Sequence, residues 1–235
     1  MSDNIIYVFD FDGVICNSID ECMLTSYNTF YNTELININD VPYQFKLYFN
    51  KYRYHVRPAG EYLLICKAYL ENKELSYPIF VEMRKCYEKE MKIFENRFYN
   101  KRNFLKKNIN IWLSYHKIYE HVNQMISSLS NKFFILTTKD QNSVEMLINH
   151  FGFSNKVENI FSKEISTNKS VLFTHFFKQY HSLSNGNQII FVDDNEFHLA
   201  DVKHFNLKLF FAKWGYAGSQ ISNNFKEINS LMALI

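Results

Sequence analysis

Four short runs of apolar residues, rich in β-branched and aromatic side chains, form the clearest pattern in the chain. They cover residues 5–9, 132–136, 189–192 and 208–211, and each ends at a polar or glycine-containing turn. Helical patterns of crossover length lie between the later runs, at 143–151, 170–181 and 196–205. Strands that alternate with helices predict a parallel sheet. The pattern therefore predicts an α/β domain.

The segment between the first two runs has helical periodicity and no convincing strand. Its clearest helix is predicted over residues 78–100, where apolar residues recur every three or four positions on one face. These are Phe80, Met83, Tyr87, Met91, Phe94 and Phe98. Such a stripe is typical of the core of a helical domain. We therefore predict an α/β domain made of residues 1–16 and 119–235, with a helical domain, 17–118, inserted after the first strand.

Composition narrows the possible classes of protein. A chain of 235 residues with 47% hydrophobic and 21% charged residues is expected to fold, and its six glycines leave little material for glycine-rich nucleotide loops. The net charge of +2 does not favour a nucleic-acid partner. No run of 18 apolar residues and no basic leader segment is present, so we expect neither a membrane span nor a signal peptide.

Four cysteines, Cys16, Cys22, Cys66 and Cys86, show neither CxxC nor zinc-finger spacing. This favours free thiols in a reducing compartment, and we expect a cytoplasmic protein.

Polar residues follow three of the predicted strands directly. Asp10 and Asp12 follow the first, Thr137 the second, and the pair 193–194, both aspartates, the third. Ligands of open parallel sheets bind beyond the carboxyl ends of the strands, so these residues are expected to meet. Clustered carboxylates repel one another unless a cation neutralises them, and oxygen ligands suit Mg²⁺. The set favours phosphoryl transfer, where catalysis depends on positioning and charge stabilisation.

Four segments in order resemble the motifs of the haloacid dehalogenase superfamily of phosphohydrolases. They are the DFDGV segment at 10–14 with Asn17-Ser18, the ILTTK segment at 135–139, Lys169, and the FVDD segment at 191–194. The insert resembles the type-one cap of the phosphoglycolate phosphatase and β-phosphoglucomutase branch, and the WGY segment at 214–216 is also similar to that branch. The resemblance implies a Rossmann-like, doubly wound parallel sheet with an inserted all-helical cap.

The resemblance also implies roles for individual residues. Asp10 would be the catalytic nucleophile that forms an aspartyl-phosphate, and Asp12 the general acid and then the general base. Thr137, Thr138 and Lys169 would bind the phosphoryl oxygens.

The implied metal site would hold Mg²⁺ through the Asp10 carboxylate, the Asp12 backbone carbonyl and Asp194. Many relatives carry a further acid four residues beyond the metal-binding aspartate, where this chain has His198. Asp193 is expected to serve instead as the additional metal-binding acid. For His198 itself, a position on a helix surface is the simpler interpretation.

Basic residues concentrate in the insert. Residues 41–110 carry a net charge of +8, and the rest of the chain −6. Within this region Lys51, Arg53, His55 and Arg57 alternate with other residues, which leaves two interpretations open. Arg53 and Arg57 bind substrate in the cap, or the stretch is a solvated basic loop.

The leading functional hypothesis is a Mg²⁺-dependent phosphatase acting on a small anionic phosphorylated metabolite. A phosphomutase and a non-catalytic phosphate-binding relative are the alternatives. A signalling receiver domain also combines acids, Thr and Lys, but there the acidic pair precedes the phosphorylated aspartate, whereas here the pair comes last. We expect no nucleic-acid or membrane partner, and a monomer or homodimer.

Overall fold

A computed structural model of the protein describes residues 5–184, 187–216 and 224–235. The chain divides into two compact units. The first, here called the α/β unit, comprises Met1–Asn17 and Lys117–Ile235, and the second, the helical unit, comprises Ser18–His116. The predicted insert, 17–118, differs from the helical unit by one residue at its start and two at its end.

The helices and strands extend over most of the described chain. The strands are β1 (Ile5–Phe9), β2 (Cys16–Asn17), β3 (Lys117–Ile118), β4 (Phe133–Leu136), β5 (Val157–Phe161), β6 (Gln188–Asp193), β7 (Lys208–Ala212) and β8 (Lys226–Ile228). The α-helices are α1 (Ile19–Tyr31), α2 (Tyr43–Tyr52), α3 (Tyr62–Leu70), α4 (Tyr77–Cys86), α5 (Glu88–Lys106), α6 (Ile109–Ser114), α7 (Glu120–Ser128), α8 (Gln141–His150), α9 (Lys169–Gln179) and α10 (Glu196–Val202).

Six strands form a parallel sheet in the order β5-β4-β1-β6-β7-β8. From β1 the chain builds the sheet outwards to β4 and β5, and it then crosses to the other side of β1 to add β6, β7 and β8. The order therefore reverses between β1 and β6, and such a reversal opens a crevice at the carboxyl ends of the two strands. The predicted Rossmann-like, doubly wound sheet is confirmed, and β5 and β8 are additions to the predicted strands.

The sheet is buried by apolar side chains that alternate along its strands. On one face, Val8 and Phe191 pack with Leu172, Phe176 and residues of α10 in a single buried cluster. Side chains of neighbouring positions point to the opposite face, where the rings of Phe9 and Phe133 lie 5.4 Å apart. Burial on both faces explains why these strands are continuous apolar runs.

The antiparallel pair β2-β3 lies where the chain leaves and re-enters the α/β unit. Cys16 pairs with Ile118 and Asn17 with Lys117. The two chain segments that lead into and out of the helical unit are therefore adjacent in the α/β unit.

The helical unit corrects one predicted element. The continuous helix predicted over 78–100 is wrong, because Tyr87 has a non-helical backbone (φ −106°, ψ 18°) and separates α4 from α5. The apolar stripe nevertheless spans both helices, and Phe80 and Phe98 are fully buried. A buried ion pair links α1 to α5: the Arg102 guanidinium donates to both carboxylate oxygens of Glu21 at 2.8 and 2.9 Å.

The four cysteines are free thiols, as predicted. Within the described ranges, the structure contains no helix both long and apolar enough to cross a membrane.

Candidate active site

The turn after β1 carries the first two candidate residues. Asp10 follows the last strand residue, and its amide donates to the carbonyl of Val192 on β6 at 3.0 Å. The turn closes because the amides of Ile15 and Cys16 both donate to the Phe11 carbonyl. Gly13 has a φ of +87°, which an L-amino acid with a Cβ rarely adopts. This glycine lets the chain reverse immediately after the catalytic candidates.

Lys169 joins the ends of β1 and β6. It is the first residue of α9, is fully buried, and places its ammonium 2.8 Å from Asp10 Oδ1 and 3.3 Å from Asp193 Oδ2. The same ammonium donates to the carbonyl of Leu136 at the end of β4. Three neighbouring strands therefore meet at one buried cation.

Burial and charge act against each other in this cluster. Burial raises the pKa of Asp10 above its ordinary value, although Lys169 favours the ionised form. Burial also opposes ionisation of Asp193, but His198 and Lys169 together leave the pKa of Asp193 lowered. For Lys169 the two aspartates outweigh desolvation and raise its pKa. The Lys169 amine is therefore protonated at neutral pH.

Lys139 is a site residue to which the sequence pattern assigned no role. Its side chain is buried, and its ammonium lies 3.2 Å from both carboxylate oxygens of Asp12. Asp12 itself is partly exposed. The signal in the sequence was the position of Lys139 just beyond the β4 strand end, two residues after Thr137. Each of the two candidate catalytic acids thus contacts its own buried lysine.

Thr137 and Thr138 lie at the end of β4. The Thr137 hydroxyl is buried and accepts from the Lys139 amide at 3.1 Å, while its own amide donates to Phe161 on β5. The following helix is capped by another residue, because the Asp140 carboxylate accepts from the Ser143 amide at 2.9 Å. Capping of that helix therefore does not account for Thr137. Thr138 is half-buried beside it.

His198 is not the helix-surface residue that the simpler interpretation suggested. It is only 4% exposed, and its Nδ1 lies 3.2 Å from both carboxylate oxygens of Asp193. The amide of Asn195 donates to the same carboxylate at 2.9 Å. Because only two residues separate β6 from α10, the first turn of the helix places His198 next to the end of the strand.

Asp194 is enclosed by backbone. Its Oδ2 accepts from the Tyr216 amide at 2.6 Å, and a Cβ on Gly13 would lie only 2.2 Å from the same oxygen. A Cβ on Gly215 would lie 2.3 Å from the Asp194 Cβ. Both neighbouring positions therefore need glycine.

The donor set suits a divalent cation with a preference for oxygen. Four carboxylates, those of Asp10, Asp12, Asp193 and Asp194, lie at this edge, against the two positive charges of Lys139 and Lys169. Buried charges of one sign need neutralisation, and carboxylates are the ligands that Mg²⁺ favours. Asp10, Asp193 and His198 also have ligand atoms within 4.8 Å of one another. The residues present fit the implied metal.

Arg53 and Arg57, the predicted substrate-binding residues of the cap, belong to the helical unit. Arg53 is buried, donates to the Val56 carbonyl at 3.0 Å and lies over the Tyr62 ring. The Arg57 amide donates to Glu61, and its side chain is half-buried. Because His55 is also buried, a fully solvated loop does not describe this stretch. Binding of substrate by the two arginines stays a prediction.

Residues 63–212 match the protein family described as Haloacid dehalogenase-like hydrolase. The match covers more than half of the chain, and the protein belongs to this family. The predicted superfamily membership and the predicted hydrolase class are confirmed. No protein of curated function matches the sequence.

Solved structures with the same fold match nearly the whole chain. A predicted phosphatase from Clostridium acetobutylicum has 17% identity over 99% of this chain and 96% of its own, with a TM-score of 0.65. A predicted phosphoglycolate phosphatase from Haemophilus somnus has 15% identity over 92% and 88%, with a TM-score of 0.61. A magnesium-bound HAD-hydrolase from Bacillus subtilis has 16% identity over 100% and 97%, with a TM-score of 0.59. At these identities the likeness establishes the fold.

Proposed function

We propose that this hydrolase is a Mg²⁺-dependent phosphatase that releases phosphate from a small phosphorylated metabolite through an aspartyl-phosphate on Asp10. One observation carries the proposal: Asp10 and Asp12 follow the same strand, and each contacts its own buried lysine. A nucleophile and a separate general acid are the two groups that this chemistry needs. Two structural neighbours, described as a predicted phosphatase and a predicted phosphoglycolate phosphatase, support the same reaction class.

In the first step, a carboxylate oxygen of Asp10 attacks phosphorus while the bond from phosphorus to the leaving oxygen breaks. Asp12 donates its proton to that oxygen, and the alcohol departs. In the second step, Asp12 takes a proton from water, and the water oxygen attacks phosphorus. The bond between phosphorus and the Asp10 oxygen breaks, which returns the Asp10 carboxylate and inorganic phosphate.

The surrounding residues hold the reacting groups and the phosphoryl charge. Burial raises the pKa of Asp10, and the Lys169 ammonium 2.8 Å away favours its ionised form. The same ammonium could bind phosphoryl oxygens. The Thr137 and Thr138 hydroxyls can donate to the same oxygens. Asp10, the Asp12 carbonyl, Asp194 and the additional acid Asp193 would hold Mg²⁺. When bound, the metal supplies positive charge that offsets repulsion between the carboxylates and a phosphate dianion.

The charge distribution supports an anionic substrate. The segment 41–110 carries +8 and the rest of the chain −6, so the basic surplus lies in the helical unit. A positive region attracts anions over a Debye length of about 8 Å at physiological salt. The free cysteines are consistent with a reducing, cytoplasmic location.

Hydrolysis of p-nitrophenyl phosphate tests the proposal. We expect activity with Mg²⁺, loss of activity in EDTA, and no turnover by Asp10→Asn, while circular dichroism remains that of the wild type. Asp40→Asn, an exposed acid of the helical unit, is the matched control and should keep full activity. Full activity of Asp10→Asn, or activity without any divalent metal, would contradict the mechanism.

The product profile separates the phosphatase from the alternatives. Steady Mg²⁺-dependent release of phosphate supports hydrolysis. Burst kinetics with a sugar bisphosphate, in which the phosphoryl group moves to Asp10 and a sugar monophosphate is released without steady release of phosphate, would indicate a phosphomutase. Binding of phosphate without turnover would indicate a non-catalytic relative. A screen of phosphoglycolate, hexose phosphates and nucleotides would then identify the substrate class.

A further inference from the structure

The segment that follows β7 contacts the β1 turn at two points. Trp214 Nε1 donates to the Val14 carbonyl at 3.0 Å, and the Tyr216 hydroxyl donates to the Cys16 carbonyl at 3.5 Å. Val14 lies in the turn that carries Asp10 and Asp12, and Cys16 begins β2 at the end of that turn. The Trp214 indole and the Tyr216 phenol therefore hold residues 214–216, here called the 214–216 segment, against this region.

Between these two side chains, the backbone of the segment contacts Asp194. The Tyr216 amide donates to Asp194 Oδ2 at 2.6 Å, and both residues are buried. A hydrogen bond to an ionised acceptor is about twice as strong as one between neutral groups. One of the two carboxylate oxygens is thus held in place by a backbone amide whose own position depends on Trp214 and Tyr216.

Gly215 allows the backbone of the 214–216 segment to lie close to Asp194. A Cβ at this position would lie 2.3 Å from the Asp194 Cβ and 2.6 Å from the Gly13 carbonyl oxygen. From the other side, a Cβ on Gly13 would lie 2.2 Å from Asp194 Oδ2. The Asp194 side chain therefore fits between two glycine backbones, which restrict its rotation from both sides.

We propose that the 214–216 segment positions Asp194 for divalent-cation binding. Gly215 and the Tyr216 amide are positioning residues, because they touch Asp194 and set the orientation of its carboxylate. The inference rests on the proposed function only in taking Asp194 as a metal ligand. It explains why a tight Trp-Gly-Tyr turn follows β7: the turn contacts both the β1 turn and the Asp194 carboxylate, which follows β6.

Cation binding without substrate tests the proposal independently of turnover. Mn²⁺ binding followed by electron paramagnetic resonance, with Mg²⁺ competition, gives both dissociation constants. Outer-shell partners of metal ligands typically change affinity about 10- to 100-fold, and we expect weakening of that order in Gly215→Ala. Trp214→Phe removes the indole N–H that donates to Val14 and keeps a smaller aromatic ring, so we expect a smaller loss than in Gly215→Ala, about two- to fivefold.

Gly60→Ala is the matched control. There a Cβ would lie 2.8 Å from the Met91 carbonyl oxygen, a comparably close approach within the helical unit. Gly60→Ala is expected to lower the melting temperature and keep the Mn²⁺ affinity of the wild type. If Gly215→Ala does not fold, the Mn²⁺ affinity of Trp214→Phe tests the proposal instead.

Each outcome decides the proposal. Wild-type affinity in folded Gly215→Ala, or in Trp214→Phe when Gly215→Ala is unfolded, would overturn the inference and leave the proposed function intact. Equal Mn²⁺ affinity of Asp194→Asn and the wild type would overturn the inference, because Asp194 would not be a ligand of the cation. Absence of any cation binding by the wild type would overturn it together with the metal part of the proposed function. Weaker binding in Gly215→Ala, with normal binding in Gly60→Ala, supports it.

Discussion

The ammonium of Lys139 lies 3.2 Å from both carboxylate oxygens of Asp12, although the two residues are 127 positions apart in the chain. The lysine is almost fully buried, whereas the aspartate is partly exposed. This contact fixes the orientation of the candidate general acid with respect to the end of β4, which Thr137 and Thr138 follow.

The contact between Lys139 and Asp12 predicts a defect that depends on the leaving group. Lys139→Met should lower kcat more for an alkyl phosphate than for p-nitrophenyl phosphate, because p-nitrophenolate leaves without much help from an acid. General acid–base catalysis contributes about 10²- to 10⁴-fold, and we expect a loss near the lower end because Asp12 itself remains. Steady-state kinetics on both substrates measures the ratio.

Lys139→Arg, which keeps the charge, should recover part of the lost rate. Lys178→Met, a change of an exposed lysine on α9, is the control and should behave as the wild type. An equal loss on both substrates would show that Lys139 does not act through the general acid.

Removal of the Asp10 carboxylate, the proposed nucleophile, is predicted to stabilise the metal-free protein. Burial raises the pKa of Asp10, so keeping this group ionised costs folding free energy at neutral pH. A group with a raised pKa contributes stability below its unfolded-state pKa, and this contribution is lost as the pH rises through the folded-state pKa. Asp10→Asn should therefore melt at a higher temperature than the wild type at pH 7 in EDTA.

The size and pH dependence of this gain can be measured by calorimetry. A gain of 1 kcal/mol corresponds to about 2–4 °C in a chain of this size. The advantage of Asp10→Asn should shrink as the pH falls towards 4, because the wild-type carboxyl becomes protonated. A variant less stable than the wild type at pH 7 would contradict the prediction.

His198 is predicted to stabilise the ionised form of Asp193. His198→Leu removes one contact of a fully buried carboxylate, and loss of a partner of a buried charged group costs about 1–3 kcal/mol or more. A group with a lowered pKa contributes stability above its unfolded-state pKa and loses it as the pH falls through the folded-state pKa. The difference between variant and wild type in EDTA should therefore be present at pH 7 and smaller near pH 3.

Urea unfolding of the metal-free proteins measures that difference. His175→Leu, an exposed histidine on α9, is the matched control and should change the free energy of unfolding by less than about 0.5 kcal/mol. An equal effect of the two substitutions would show that the Asp193 contact does not contribute.

The ion pair between Glu21 and Arg102 is predicted to be essential for the helical unit. Both side chains are almost fully buried, so Arg102→Met leaves the Glu21 charge without this partner and should cost about 3–5 kcal/mol. Lys92→Ala breaks an exposed pair with Glu88 and should cost about 0.5 kcal/mol or less.

Tryptophan fluorescence can follow this unit alone. The chain has two tryptophans, and Trp214→Phe leaves Trp112, which is buried in the helical unit, as the reporter. Both substitutions are compared in that background by urea unfolding. Equal losses of unfolding free energy in Arg102→Met and Lys92→Ala would show that burial does not increase the contribution of an ion pair to stability.

Local patterns predicted the sheet but not all of its strands. Residues 7–9 and 189–192 are uninterrupted apolar runs because both faces of those central strand segments are buried. The edge strand β5 (Val157–Phe161) includes a glutamate and an asparagine and is buried only at its last residue. Its pattern is therefore weaker, and it becomes a strand by pairing with β4. The break at Tyr87 was missed because the apolar stripe continues through it.

The sequence by itself determined the fold class and the strand-end acids, because apolar periodicity and the residues just after a strand are local features. It also carried the family motifs in their order. Only the tertiary structure decided which charges meet: Lys139 with Asp12, His198 with Asp193, and the Tyr216 amide with Asp194. Those contacts depend on strand order and on the direction of the first turn after each strand, and no short segment of sequence encodes either of them.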